Sequence, residues 1–556
     1  MTFIYMFFTI YCLMQALHFS IFKYFLQIEK IELLKEALDA KDRLDLNIGF
    51  THFLYIVPIV SVIIYYCKKY KKEKKEKIET DKETFNKGKK IVYSCIVVLF
   101  VFGYCISNVI YNIKDTNESL LRREMIDSNG FINRYGFIDF AINDIIRNIK
   151  TKIPFVQEKA NRNKLEKLDS YFEERAIEKD SSNEMSGIFK DENLIFITAE
   201  SFGPYGINEE LTKTLYKLKE EGIYFNNYYS PNIGTIDTEV TMLTSLIPTY
   251  NKGRVFYNYA NNSSKFSMPT MFKEKGYSAM AFHNFWDKYY NRKLFMPTLG
   301  FNSYQDINEL GIPPIEEGID DFPKDIDLFR NSLPNYMKDE KFLAYYMTVS
   351  GHGAYYEDRI SLLENHEIVE ELYGDTLPYT TKYYLASQMH LDQGIEYLIN
   401  QLEETGLIEN TVIVIIGDHY PYFLRDDEIK EVFKIEDELE LYKIPFIIWS
   451  KDIESKKEDR IINTVDVLPT LGNMFDLEVK YSMGVDIYND IDSKVRWNSQ
   501  RGFSFLNKDI YYDKKENKIN YNENISKDYV EKLLRKNYEE YLISQWIIET
   551  NYFSNQ

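Results

Sequence analysis

Hydrophobic residues fall into two regimes along this chain. Three long stretches, Met1–Phe22, Leu46–Cys67 and Ile91–Ile113, contain no Asp, Glu, Lys or Arg, and each is long enough to cross a bilayer core as a helix. From Asn112 to about Asp191 the pattern turns polar and weakly periodic, apart from Ile138–Ile149, where apolar residues recur at helical spacing. Beyond Asp191, short apolar runs alternate with helical patterns. Strands are predicted at Leu194–Ala199, Ser278–Phe282, Leu343–Val349, Thr411–Ile416 and Lys443–Trp449, and helices at Asn208–Glu221, Tyr384–Glu404 and Val465–Phe475. That alternation predicts an α/β domain whose sheet is covered on both faces.

Charge orients the apolar stretches. Lys68–Lys90, between the second and third, holds eleven lysines against five acidic residues, and the positive-inside bias places it in the cytoplasm. The amino terminus is then cytoplasmic, the Ile28–Asp45 loop external, and everything after Ile113 outside the membrane. The first stretch lacks a basic flank and is long for a signal peptide, so an uncleaved anchor is expected.

With 556 residues the chain exceeds a single simple core. The expected division is a membrane domain of three transmembrane helices (1–113), a helical linker (114–190), an α/β catalytic domain (191–491) and a C-terminal extension (492–556). A formal net charge of −19 argues against a nucleic-acid partner, which needs clustered Lys and Arg. All four cysteines, Cys12, Cys67, Cys95 and Cys105, lie in the apolar stretches, leaving the outer domain without a disulfide framework or a thiolate metal site.

The candidate chemistry sits at strand ends. Asn193–Ala199 runs directly into Glu200-Ser201, and Thr411–Ile416 into Gly417-Asp418-His419-Tyr420-Pro421-Tyr422. Ligand-type residues at the carboxyl ends of two strands are what an open α/β sheet needs to build a site along its top edge. Between them, Gly234-Thr235-Ile236-Asp237-Thr238-Glu239 opens an apolar helix. Thr235 there is either an N-cap or a nucleophile whose alkoxide and incoming phosphate are favoured by the helix amino terminus. A threonine hydroxyl needs a base or a metal to act. Glu200, Asp418 and His419 supply a mixed oxygen and nitrogen set suited to Mn²⁺, Mg²⁺ or Zn²⁺. Of only seven histidines, His283, His352 and His419 all fall just past predicted strands.

These segments, with Phe282-His283-Asn284 to Asn291-Arg292 and Val349-Ser350-Gly351-His352-Gly353, occur in the order seen in the lipoteichoic acid synthase family, within the sulfatase and alkaline phosphatase superfamily. The chain resembles that family over about Asp191–Asp490. The resemblance implies a sulfatase-like α/β domain with one divalent cation, usually manganese, held by Glu200, Thr235, Asp418 and His419. It implies Thr235 as the nucleophile that takes glycerol phosphate from phosphatidylglycerol and passes it to a polyglycerolphosphate chain. His283, Arg292 and His352 match positions that contact the substrate's phosphate or glycerol, and a guanidinium can pair two phosphate oxygens at once. The implied location is the cell membrane, multi-pass, with the catalytic domain extracellular as in Gram-positive organisms.

Two features depart from the family. Its full-length synthases carry five membrane spans where three are expected here, from a shorter membrane unit or a truncated start. Tyr290 precedes Arg292 where the family has tryptophan, with Trp286 displaced upstream. Sulfate ester hydrolysis is disfavoured, since no cysteine in a sulfatase maturation context exists outside the apolar stretches. The alternatives are a phosphoethanolamine transferase, a phosphodiester hydrolase, and an inactive membrane-anchored binding protein.

Overall fold

The computed structural model describes residues 116–178, 182–232, 234–249, 262–287, 290–313, 321–497, 504–513, 518–521 and 525–556, with short pieces before residue 110. Most residues of the three expected membrane spans lie outside the described residues. Among the described residues, no helix is long and apolar enough to cross a membrane. The chain forms two compact units, 1–157 with 525–538 and 158–524 with 539–556.

In the first unit, helices Asn117–Glu124, Ser128–Tyr135 and Phe137–Thr151 follow one another closely. Thr116 begins the first with a capping box, and the Asp127 carboxylate accepts the Gly130 amide at the start of the second. Gly136, at φ 85°, separates the second helix from the third in a conformation that favours glycine. Met125, Phe131 and Phe140 form the buried core here.

The second unit is built on a sheet of eight strands. The unit's strands are β1 (Asn193–Ala199), β2 (Ile223–Phe225), β3 (Tyr228–Tyr229), β4 (Ser278–His283), β5 (Ser303–Gln305), β6 (Phe342–Met347), β7 (Thr411–Gly417), β8 (Phe446–Trp449), β9 (Lys456–Glu458) and β10 (Ile462–Asn463). The large sheet has the order β5-β4-β6-β1-β7-β8-β2-β9, and β3 pairs with β10 apart from it. Strand β8 runs antiparallel to both its neighbours, and every other pair is parallel. The principal helices are α1 (Lys213–Glu221), α2 (Thr235–Thr244), α3 (Arg292–Thr298), α4 (Asp325–Ser332), α5 (Leu363–Tyr373), α6 (Tyr379–Thr405) and α7 (Val467–Met474).

All residues of β1, β6 and β7 are buried, as central parallel strands must be when helices cover both faces. Leu391, Ile395, Leu398 and Leu402 of α6 share one apolar core with Ile195, Ile197, Ile413 and Ile415. Register then positions the site: Ala199 pairs with Gly417, so Glu200 and Asp418 leave the sheet at one level, and His283 pairs with Met347 on β4 and β6. All five expected strands are present. The last starts only at Phe446, because Pro445 has no N–H to offer a ladder. Three strands of three residues each, β2, β5 and β9, were not predicted, being too short to show alternation.

After residue 494 the chain adds β11 (Val495–Arg496), β12 (Phe505–Leu506), β13 (Ile510–Asp513) and β14 (Lys518–Tyr521), an antiparallel sheet of four strands. Helix Lys527–Thr550 follows. Glu540 is buried there and pairs with Lys494 at 2.6 Å and with Arg496.

Candidate active site

Three ligand-type side chains converge where β1 and β7 end. One ligand atom from each of Glu200, Asp418 and His419 lies within 4.8 Å of the others, and all three residues are buried. The backbone fixes this arrangement. Ser201 turns the chain at φ 52°, and its N–H donates to Asp418 Oδ1 at 2.8 Å, as does the His419 N–H. The Glu200 N–H donates to Thr348 Oγ1 at 3.1 Å. The Asp418 carbonyl accepts from Ser230 Oγ at 2.6 Å and Thr238 Oγ1 at 2.9 Å, tying the end of β7 to α2. Gly351 lies so close that a Cβ there would overlap the Glu200 carbonyl oxygen.

His419 Nδ1 lies 3.0 Å from the Tyr420 carbonyl. A carbonyl only accepts, so Nδ1 donates there and Nε2 is the ring nitrogen turned toward the two carboxylates. Nε2 lies 3.1 Å from Asp418 Oδ2 and 3.6 Å from Glu200 Oε1, and Oδ2 is buried without a hydrogen-bond partner among the described residues. Burial first, and the Asp418 charge second, hold the Glu200 carboxyl well above the usual carboxylate range. Two buried carboxylates and an imidazole nitrogen, with no Lys or Arg paired to them among the described residues, fit a divalent ion by donor type and by charge.

Thr235 is the first residue of α2, a helix buried along its whole length whose N-cap, Gly234, provides no side-chain cap. Its Oγ1 lies 3.3 Å from Glu200 Oε2 and 3.4 Å from His419 Nε2. The four residues expected to hold a metal are therefore together.

The other three expected residues occupy different settings. Arg292 opens α3 and is buried, with Nε and Nη2 donating to Glu239 Oε2 at 3.0 and 2.5 Å. Glu239 Oε1 accepts from Tyr345 OH at 3.1 Å, and the Arg292 guanidinium lies 5.0 Å from the Tyr290 ring centre. One edge of the guanidinium is thus committed within the protein, and Nη1 has no hydrogen-bond partner among the described residues.

His283 ends β4 with Nδ1 2.9 Å from the Met347 carbonyl, so its Nε2 is an acceptor. Burial, then the Arg292 charge, hold this imidazole well below its ordinary range and therefore neutral. His352 lies in the loop after β6, its ring 4.8 Å from Phe322 and 5.4 Å from Phe423. Arg359 donates to the Ser350 and His352 carbonyls at 3.0 and 2.6 Å. Asp325 accepts the Val349 and Ser350 amides at 3.1 and 3.3 Å and the Asn284 side-chain amide at 3.0 Å.

Sequence reasoning missed Ser230, Thr348, Tyr345, Asp325 and Arg359, whose hydrogen bonds join segments far apart in the chain. Glu239 had a legible signal, since it lies four residues after Thr235 and so on the same helix face.

Comparison with known proteins defines the class. The sulfatase family profile matches residues 192–477, just over half the chain, and the chain belongs to that family. Its domain is an α/β sulfatase-like fold of the alkaline phosphatase superfamily. The chain is similar to lipoteichoic acid synthase 2 of Bacillus subtilis, at 25% identity over 418 residues, 71% of this chain and 60% of that protein. It is also similar to the lipoteichoic acid synthase of Staphylococcus saprophyticus, at 26% over 457 residues, 78% and 66%. The chain thus spans less than two thirds of these relatives' length. Among solved structures, the lipoteichoic acid synthase LtaP from Listeria monocytogenes aligns with TM-score 0.57 and 22% identity, covering 66% of this chain and 94% of that one. A Vibrio parahaemolyticus protein of the alkaline phosphatase superfamily aligns with TM-score 0.50 and 18% identity, covering 67% and 91%. At these identities the structural likenesses speak to the fold alone.

Proposed function

We propose that this chain is a membrane-anchored phosphoglycerol transferase that moves glycerol phosphate from phosphatidylglycerol to a polyglycerolphosphate chain through a covalent intermediate on Thr235. The observation that carries this reading is the position of Thr235 Oγ1 at the amino end of a buried helix, 3.3 Å from Glu200 and 3.4 Å from His419. The names of the similar proteins favour the same class. Glu200, Asp418, His419 and Thr235 would hold a divalent cation, manganese in this reading with magnesium or zinc as alternatives, which would favour the deprotonated hydroxyl and offset charge on the phosphate.

In the first half-reaction Thr235 Oγ1 loses its proton and bonds to phosphorus, while the bond from phosphorus to the diacylglycerol oxygen breaks and that oxygen takes up a proton. In the second, an acceptor hydroxyl attacks the same phosphorus, gives up its proton, and releases Thr235. The amides of the first turn of α2 favour the phosphate's charge. Arg292, already fixed by Glu239, offers Nη1 to a nonbridging oxygen. His283, neutral with Nε2 accepting, suits a glycerol hydroxyl better than an anionic oxygen. His352 stands by as a further phosphate or glycerol contact.

The test is incubation of the full chain with fluorescent phosphatidylglycerol and Mn²⁺, followed for diacylglycerol release and for a glycerophosphoryl adduct on Thr235 by mass spectrometry. Release with the adduct or with polymer is expected. Release of free glycerol phosphate alone would make the chain a hydrolase. Release only from phosphatidylethanolamine would make it a phosphoethanolamine transferase, and binding without release would leave a binding protein.

A further inference from the structure

Away from the candidate site, the first unit carries a corner with an unusual surface. Helix Phe137–Thr151 ends and helix Pro154–Glu178 begins across only Lys152 and Ile153. The turn is hydrogen-bonded, with the Lys152 N–H donating to the Ile149 carbonyl at 3.2 Å and the Ile153 N–H to the Lys150 carbonyl at 3.1 Å. Every residue from Ile149 to Gln157 is exposed. Four of them are large and apolar, with Ile149 57% exposed, Ile153 45%, Phe155 70% and Val156 38%.

Scattered exposed apolar residues need no explanation, whereas a contiguous group on a fixed turn marks a contact surface. The charges say which kind. Lys150 and Lys152 interleave with the apolar residues, and among the described residues neither makes an ion pair. No Asp or Glu occurs from Ile145 to Gln157, in a chain whose formal charge is −19. Apolar side chains interleaved with free lysines match the boundary between acyl chains and anionic headgroups, where the former bury and the latter stay at the phosphates. Protein–protein interface cores are depleted of lysine, which here alternates with the apolar residues.

We propose that the Ile149–Val156 corner is a docking surface for the face of an anionic bilayer, entering it to the depth of its side chains. This contact is separate from any membrane-spanning segment. It goes beyond the transferase reading and does not depend on turnover, though it would bring the unit to the headgroups from which that reaction draws.

The experiment uses the full chain reconstituted with vesicles, its four cysteines replaced by alanine and the single substitution Phe155→Cys labelled with an environment-sensitive dye. With phosphatidylglycerol in the vesicles, the dye should emit at shorter wavelength and be quenched by lipids spin-labelled near the headgroup. Lys150→Glu combined with Lys152→Glu should reduce that quenching about twofold or more in phosphatidylglycerol vesicles and have little effect in pure phosphatidylcholine. Quenching by aqueous iodide instead would place the corner in water and overturn the proposal. Protection from both quenchers would mean that protein covers it, and would overturn it equally. Diacylglycerol release measured on the same samples reports separately on the transferase reading.

Discussion

Two clusters of buried charge lie within the second unit, and they are built on opposite plans. Around Arg292 the charges close among themselves: a guanidinium and a carboxylate meet at 2.5 Å, and Tyr345 satisfies the second carboxylate oxygen. Around Thr235 they do not close. Glu200 and Asp418 meet an imidazole nitrogen and, among the described residues, no Lys or Arg, and Asp418 Oδ2 has no hydrogen-bond partner among those residues. Burying like charges without compensation is costly. A fold that aligns β1 and β7 to produce this arrangement has the charge pattern of a cation site, and the closed pair beside it has that of a framework.

The largest effect should come from the open cluster. Thr235→Ala removes the hydroxyl and leaves three of the four expected ligands, so diacylglycerol release should fall by about 10³-fold or more while Mn²⁺ binding by calorimetry weakens but persists. Retained turnover would dismiss Thr235 as nucleophile. In the closed cluster the reverse holds: Glu239→Gln keeps the shape but strands a buried guanidinium, and should cost roughly 3–5 kcal/mol in denaturant unfolding of the catalytic unit. The double change Glu239→Gln with Arg292→Met should recover much of that loss. If the single variant is as stable as the parent, the pair is not the framework described.

The two clusters also differ in how legible they were in the sequence. The open one was visible because each ligand follows a strongly apolar run. The burial that makes Leu194–Ala199 and Thr411–Ile416 continuous hydrophobic stretches also fixes where Glu200 and Asp418 emerge, and the parallel register levels them. The closed one was half visible. Arg292 stood out as a phosphate ligand, but its pairing with Glu239 spans 53 positions and depends on how α2 and α3 pack, which no local pattern encodes. The same reason hid Asp325, Thr348 and Arg359. The short strands β2, β5 and β9 escaped because three residues cannot display a period, and most residues of the expected membrane spans lie outside the described residues.

A buried carboxylate outside both clusters calibrates the comparison. Asp392 of α6 accepts the Leu215 amide at 2.7 Å, serving the start of α1, whose own N-cap Thr212 makes no side-chain cap. Burial outweighs these amide bonds and pushes its carboxyl up to about 6 from an ordinary 3.8. The folded protein therefore holds this proton to higher pH than the unfolded chain. The resulting stability is fully present below about pH 3.8 and is lost as pH rises through about 6. Between pH 4 and 7 the parent should lose roughly 2–3 kcal/mol relative to Asp392→Asn, read as converging or crossing denaturation midpoints. Midpoints that stay parallel would mean that the amides, not burial, control this group.

The smallest effect is also the sharpest on the contrast itself. In metal-free protein, Glu200→Gln replaces a carboxyl that folding must protonate because burial holds it well above its usual range, and should raise stability by about 1–2 kcal/mol at neutral pH, whereas the same chemical change at Glu239 lowers it. Added Mn²⁺ should raise the melting temperature of the parent and shift the Glu200→Gln variant far less, because a carboxylate ligand has been lost. Opposite signs for one Glu→Gln substitution at two buried sites in one unit would separate a cluster that needs a cation from one that already has it. Destabilisation at both sites, with the manganese shift retained, would mean that Glu200 is held by its hydrogen bonds to Ser201 and Thr235 rather than poised for an ion.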